Sequence, residues 1–263
     1  MVCGRSDQYA YVSARSWREK TDFMSSVTLY LGGGEVPTWR KLLLREGVSN
    51  IALNYAYLRP RLSQGKPWFI ADHFPPGISV FVLSRGGGVQ RHLSQTQHED
   101  YLNGFLSFVQ DNLDRLVYFT EYDPIDMGVD WILHRREDTW SGLVQKLVPT
   151  WHEEWPASLL REMVEQYPNL GVPPLAPQHQ NVLSSLVRRT KVRLHGLSFS
   201  HPHALPNGIY TSIVSSSWIS PMRFGETVIW DHNRLRRYPA DQKEMIRRRH
   251  RREFRLAGFD ADK

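Results

Sequence analysis

The chain is poor in cysteine: Cys3 is the only one among its 263 residues. A disulfide framework is therefore excluded, and so is a structural zinc site built on several thiolates. No run approaches the ~18 consecutive apolar residues that a membrane-spanning helix needs. No basic-then-apolar leader precedes the first strand. The expectation is a soluble, cytoplasmic protein with no membrane partner.

Familiar catalytic and cofactor signatures are also missing. Neither glycine triplet, 32–34 or 86–88, continues into Gly-Lys-Ser/Thr, and neither fits G-x-G-x-x-G. The eleven histidines include no pair four residues apart and no His-Glu-x-x-His, so no metal is expected. No G-x-S-x-G elbow marks a serine nucleophile, and no cofactor is implied.

What is present is enough for a sizeable core: 41% of the residues are hydrophobic and 12% aromatic, which excludes disorder and coiled-coil design. Eight short apolar or β-branched runs read as strands: 27–31, 50–54, 79–83, 116–120, 147–151, 170–172, 192–197 and 209–214. Helical periodicity falls between them, over 38–46, 99–113, 129–137, 158–166 and 182–189. Pro37 opens the first of these and Gly47 closes it. Connection 59–77 carries prolines and no convincing helical period, and 201–208 is too short for a full helix. Near-continuous apolar strands alternating with helices imply a parallel sheet covered by helices. Eight units in about 220 residues predict an α/β fold of the closed (β/α)8 TIM type. The expected organisation is an N-terminal arm over 1–26, a single barrel domain over 27–232, and a basic extension over 233–263 packing on the barrel.

The formal net charge of +6 is local: residues 234–255 carry ten Lys or Arg against three acids. A nearly neutral body with one basic segment points to a polyanion partner. Arg234, Arg236, Arg237, Arg247, Arg248, Arg249, Arg251 and Arg252 are the candidate phosphate contacts.

In such a barrel the strand C-terminal ends form the active face. That rule selects Gly32, Gly33, Gly34 and Glu35, then Asn54, Tyr55 and Tyr57, and then Ser84, Arg85, Gly86, Gly87 and Gly88. It continues with Glu121, Tyr122, Asp123 and Asp126, and with Trp151, His152 and Glu153. His195, Gly196, His201 and His203 follow, and then Ser215, Ser216, Ser217 and Trp218. The glycines could bring backbone N–H groups to a base or phosphate, or simply make tight turns. Glu121 and Asp123 could serve as nucleophile, base or acceptors for a purine edge. Asp126 reads as a helix cap.

Arg193-Leu194-His195-Gly196-Leu197, then Ile209-Tyr210-Thr211-Ser212, Ser216-Ser217-Trp218 and Arg223-Phe224-Gly225 resemble the tRNA-guanine transglycosylase superfamily. The likeness is to its phage and bacterial members that place 7-deazaguanines in DNA, and it extends through 231–238 into the basic tail. Its specific part covers roughly residues 190–240; elsewhere the match is mainly one of strand order.

The resemblance implies exchange of guanine for a 7-deazaguanine, such as a preQ0-type precursor, at an N-glycosidic bond in DNA or tRNA. For a phage protein the site of action would be the host cytoplasm. Two aspartates carry the family's chemistry. The nucleophile's position falls here on Val214, or on Ser215 with a one-residue slip. The third-strand Asp-Ser-Gly is matched by Leu83-Ser84-Arg85-Gly86-Gly87, without an aspartate, and the tRNA enzymes' zinc-binding cysteines are absent. Asp123, with Glu121 beside it, matches the fourth-strand acid.

An active enzyme would therefore need a relocated carboxylate: Asp123, Glu121 or Glu153. Gly33, Gly34, Tyr55, Ser84, Gly86, Gly87, Tyr122, His195, Gly196, Ser215 and Trp218 are the expected base-binding set. A base would have to be extruded or single-stranded, with Tyr55, Tyr122 and Trp218 able to stack on it. The alternatives are a catalytically silent nucleic-acid-binding relative and a nucleoside or nucleotide N-glycosidase using Glu121, Asp123 and His195. Oligomeric state is left open.

Overall fold

The computed structural model describes residues 27–85, 93–174, 177–199, 209–219, 221, 224–231 and 234–256. Two compact units divide them between Ser216 and Ser217. The expected arm over 1–26 lies outside the described residues.

The first unit runs β1 (Thr28–Gly32), α1 (Pro37–Arg45), β2 (Asn50–Asn54), α2 (Tyr55–Leu62), α3 (Ile70–His73), β3 (Ser79–Leu83), α4 (Gln95–Asp111), β4 (Leu116–Thr120), α5 (Val129–Trp140), β5 (Leu147–Val148), α6 (Ala157–Gln166), β6 (Asn169–Val172), α7 (Pro177–Arg189), β7 (Arg193–Gly196) and β8 (Ser212–Ser215). All strand pairs in it are parallel, in the order β5-β4-β3-β2-β1-β8-β7-β6. The two ends of that order meet at a parallel bridge between Thr150 and Gly171, where Trp151 N–H donates to Gly171 O at 2.9 Å. This is the (β/α)8 barrel.

Three strands, 50–54, 79–83 and 116–120, match the sequence reading to the residue. The fifth is shorter than expected because Pro149 has no N–H to donate, so the ladder breaks after Val148 and resumes as a single bridge. The second connection differs more. Asn54 accepts a hydrogen bond from Ala56 N–H at 3.0 Å, which caps α2 directly at the end of β2. The helix thus starts four residues before the segment read as a connection, and Pro60 falls near its end. The 201–208 segment lies outside the described residues.

Strand alternation sorts the core into two layers. Tyr30, Ala52, Phe81, Val148, Leu197 and Val214 form one buried cluster, with Leu83 and Tyr118 against it. Residues contributed from all round the sheet can meet only inside the barrel. Outside it, the opposite parity buries Leu170, Val172, Leu194 and Ile213 against Leu160, Met163, Val164 and Leu183 of α6 and α7. Helix α4 is fixed at its start by a capping box between Ser94 and Gln97.

The second unit contains an antiparallel hairpin of β9 (Thr227–Asp231) and β10 (Arg234–Tyr238), followed by α8 (Lys243–Arg249) and α9 (Arg251–Leu256). Ile246 is buried in α8, while Arg248, Arg249, Arg251 and Arg252 are exposed.

Candidate active site at the strand C-terminal rim

Five consecutive strands deliver one connected polar network to the rim. After β1, the buried Glu35 carboxylate accepts a hydrogen bond from Asn54 N–H at 3.3 Å. Asn54, at the end of β2, donates from Nδ2 to the Arg85 carbonyl at 3.0 Å. Arg85, after β3, donates from Nη1 to the Asp123 carbonyl at 2.5 Å, and its guanidinium lies 4.0 Å from Asp123 Oδ1. Asp123, after β4, meets His152, after β5, with Nε2 and Oδ2 2.8 Å apart.

The Asp123 and His152 side chains retain 11% and 13% exposure, so solvent-side access survives. An ionised Asp123 accepts from the His152 Nε2–H, which leaves Nδ1 as the ring nitrogen not engaged by the carboxylate. Trp155 holds the imidazole edge-on at 4.8 Å. Such a carboxylate–imidazole pair beside a guanidinium can pass a proton and can stabilise developing charge of either sign.

The expected acids separate into different tasks. Glu121 points away from the rim to α5, where Arg136 Nε and Nη2 donate to its two oxygens at 2.7 and 2.6 Å. Thr150 N–H adds a third bond at 2.8 Å. Burial pushes the Glu121 carboxyl above its ordinary range, while Arg136 and the Thr150 amide pull it back. Its oxygens are occupied by structural donors. Glu153 is exposed and pairs with His179 at 3.1 Å. Of the three candidates, Asp123 alone belongs to the rim network.

Several expected base-binding residues face elsewhere. Tyr55 turns into the helix layer, with ring centroids 5.2, 5.1 and 5.5 Å from Tyr101, Phe105 and Phe108. Tyr122 stacks on Tyr101 at 4.6 Å and its hydroxyl meets His98 Nδ1 at 2.7 Å. Burial raises the pKa of Tyr122 well above its ordinary value. His98 continues the chain to Asp126 at 3.2 Å, so Asp126 anchors α4.

Ser84 braces two strands and a helix. It donates to Glu121 O at 2.5 Å, receives Tyr101 O–H on its carbonyl at 2.5 Å, and sends its N–H to Thr120 at 2.8 Å. His195 fills the barrel interior between Phe81 and Tyr118, with Ser212 Oγ 2.7 Å from Nδ1. Burial lowers its pKa to about 3, so it is neutral.

At the glycines, packing explains the residue choice. Gly33 has a φ of 101°, which favours glycine. A Cβ at Gly34 would come within 2.5 Å of Ile51, and one at Gly196 within 2.7 Å of the Phe199 ring. Ser215 donates to Phe199 O at 2.5 Å. Gly86 and Gly87 lie outside the described residues, and Trp218 belongs to the second unit. Among the described residues, no group of three or more His, Cys, Asp or Glu could hold a metal ion, and no helix is long and apolar enough to cross a membrane.

The residues that sequence reasoning underweighted are His152, Arg85 and Arg136. Parity along the fifth strand carries the signal for His152. Trp151 joins the outer core, so its neighbour His152 takes the opposite face.

A scan against family models finds no match, and a search of curated proteins finds none either. Among solved structures, a Burkholderia cenocepacia protein described as a lyase/mutase is similar over 81% of this chain and 84% of its own, with 11% identity and a TM-score of 0.48. A tryptophan synthase α-subunit from Pyrococcus furiosus is similar over 76% and 91%, with 11% identity and a TM-score of 0.44. Streptococcus agalactiae CutC, described as a copper homeostasis protein, covers 73% and 99%, with 10% identity and a TM-score of 0.44. The fold assignment rests on this chain's own strand order and closure.

Proposed function

We propose that this barrel is a nucleic-acid base-modification enzyme of the guanine-transglycosylase type. It would use Asp123 as its carboxylate and His152 as its acid and base. The observation that carries the reading is the 2.8 Å Asp123–His152 contact at the rim, with Arg85 alongside.

In the proposed reaction, Asp123 Oδ1 attacks the anomeric carbon while the glycosidic C–N bond breaks. Protonated His152 donates its proton to the departing guanine. Neutral His152 then takes a proton from the incoming 7-deazaguanine, whose nitrogen displaces the carboxylate and restores Asp123. Atoms and charge balance without a metal or a second carboxylate. The arginines of β10, α8 and α9 would hold the phosphate backbone of DNA or tRNA. The residues at 236, 237, 248, 249, 251 and 252 are exposed, and Arg247 is half-buried, which supports that use.

Val214 favours a second reading, that of a silent binding relative. It stands where the family's nucleophile would be, and it is 2% exposed within the apolar barrel interior. Incubation with labelled guanine and either DNA or tRNA decides between the two. Incorporation that disappears in Asp123→Asn supports the enzyme; binding without incorporation supports the silent relative. Base release without replacement would move the reading to an N-glycosidase.

A further inference from the structure

Between α2 and α4, and lined by neither Asp123 nor His152, lies a cleft of about 380 Å³. That volume lies in the range of small-molecule sites. The wall contributed by α4 is a single face: Asp100, Gly104, Ser107 and Asp111 recur at helical spacing across twelve residues, with Phe108 beside them. At 1.5 Å per residue this face is about 16 Å long.

Glycine weakens a helix interior, so Gly104 in the middle of α4 needs a reason. A Cβ there would stand 2.7 Å from the Tyr55 hydroxyl. The glycine lets that hydroxyl lie against the helix at the floor of the cleft.

The chemistry of the lining is mixed in a specific way. Arg59 supplies a planar donor fork, laid on the face of the Tyr101 ring at 4.9 Å. Trp68 lines the cleft, is 7% exposed, and has a buried indole N–H without an acceptor among the described residues. Burial raises the pKa of Tyr55 to about 12, so its hydroxyl keeps its proton. The same lining carries two carboxylates, Asp100 and Asp111, one at each end of the α4 face. Phe69 adds an aromatic surface that is 40% exposed.

A plain anion would face two aspartates, and a plain cation would face Arg59. A small zwitterion would reach only one of the two acids. The ligand that meets all of these groups is flat, with carbonyl or ring-nitrogen acceptors and N–H donors at one end and hydroxyls at the other. We infer that this cleft binds a nucleoside, its base beside Arg59 with the N–H edge toward one aspartate and its sugar hydroxyls toward the other. The cleft shares no lining residue with the rim network, and the inference does not depend on the reaction proposed there.

The test is equilibrium dialysis of tritiated guanosine with the full-length Asp123→Asn/His152→Asn chain, which removes the rim groups. The expected result is one guanosine per chain, weakened roughly tenfold or more by Arg59→Gln and likewise by Phe69→Ala. Both substitutions are at the cleft surface, and an unchanged thermal melt shows that the fold is kept. Absence of binding at about 1 mM guanosine would overturn the inference. So would affinity untouched by either substitution, or equal binding of free ribose or tryptophan. Because the rim groups are already removed, none of these outcomes depends on whether base exchange occurs.

Discussion

Replacing Arg136 with Met tests whether Glu121 is a structural acid. The Glu121 and Arg136 side chains are 1% and 2% exposed, and the carboxylate takes two bonds from the guanidinium and one from Thr150 N–H. Removing the cation leaves a buried carboxylate with only the Thr150 amide, which costs about 3–5 kcal/mol. At roughly 2–4 °C per kcal/mol for a chain of this size, the melting point should fall by about 6–20 °C. The pair Glu121→Gln/Arg136→Met removes both charges while the Gln carbonyl still accepts from Thr150. It should recover most of that loss. The sign of the pH effect follows from the raised carboxyl. A carboxyl with its folded pKa above the unfolded value contributes stability at low pH and loses it as pH rises through the folded pKa. Arg136→Met should therefore be closer to wild type at acid pH than at alkaline pH. Urea titrations followed by tryptophan emission, at several pH values, supply the data. A single variant costing under about 1 kcal/mol, or a double variant no better than the single, would refute the assignment.

Gly104→Ala should destabilise the protein by about 1–3 kcal/mol despite alanine's better helix propensity, because its Cβ would meet the Tyr55 hydroxyl at 2.7 Å. Adding Tyr55→Phe should relieve it in thermal melts. His195 should show no imidazole titration by NMR between pH 8 and 5, its pKa being lowered from 6.5 to about 3 by burial. A depressed folded pKa means stability is present above the unfolded value and falls by about 1.4 kcal/mol per pH unit below it. His195→Asn should flatten that slope. Changing Arg247, Arg248, Arg249, Arg251 and Arg252 to Ala should reduce the salt dependence of DNA or RNA binding. On duplex DNA the log–log slope should shrink by about 0.9 for each phosphate that is no longer neutralised. An unchanged slope would place polyanion binding elsewhere.

The barrel was legible because buried parallel strands are short, apolar and regularly spaced. Asn50–Asn54 and Ser79–Leu83 carry that signal undiluted. The break of the fifth strand at Pro149 and the start of α2 at the Asn54 cap escaped the sequence reading, since both depend on backbone hydrogen bonds. At the site, the strand-end rule gathered Glu35, Asn54, Arg85, Asp123 and His152 into one set. Sequence could not show which acid keeps its oxygens for chemistry. Glu121 is two residues from Asp123, yet it turns outward to Arg136, a partner fifteen residues away on α5. Tyr55 and Tyr122 likewise sit at strand ends while their rings serve the helix layer.

The most direct test of the central claim is guanine exchange into DNA and tRNA by the wild-type chain, Asp123→Asn and His152→Asn, compared in one assay with Glu121→Gln. The account predicts turnover by wild type, measurable turnover by Glu121→Gln, and a drop of roughly 100-fold or more in either rim variant. Full activity in Asp123→Asn, or abolished exchange in Glu121→Gln with its fold intact, would contradict it.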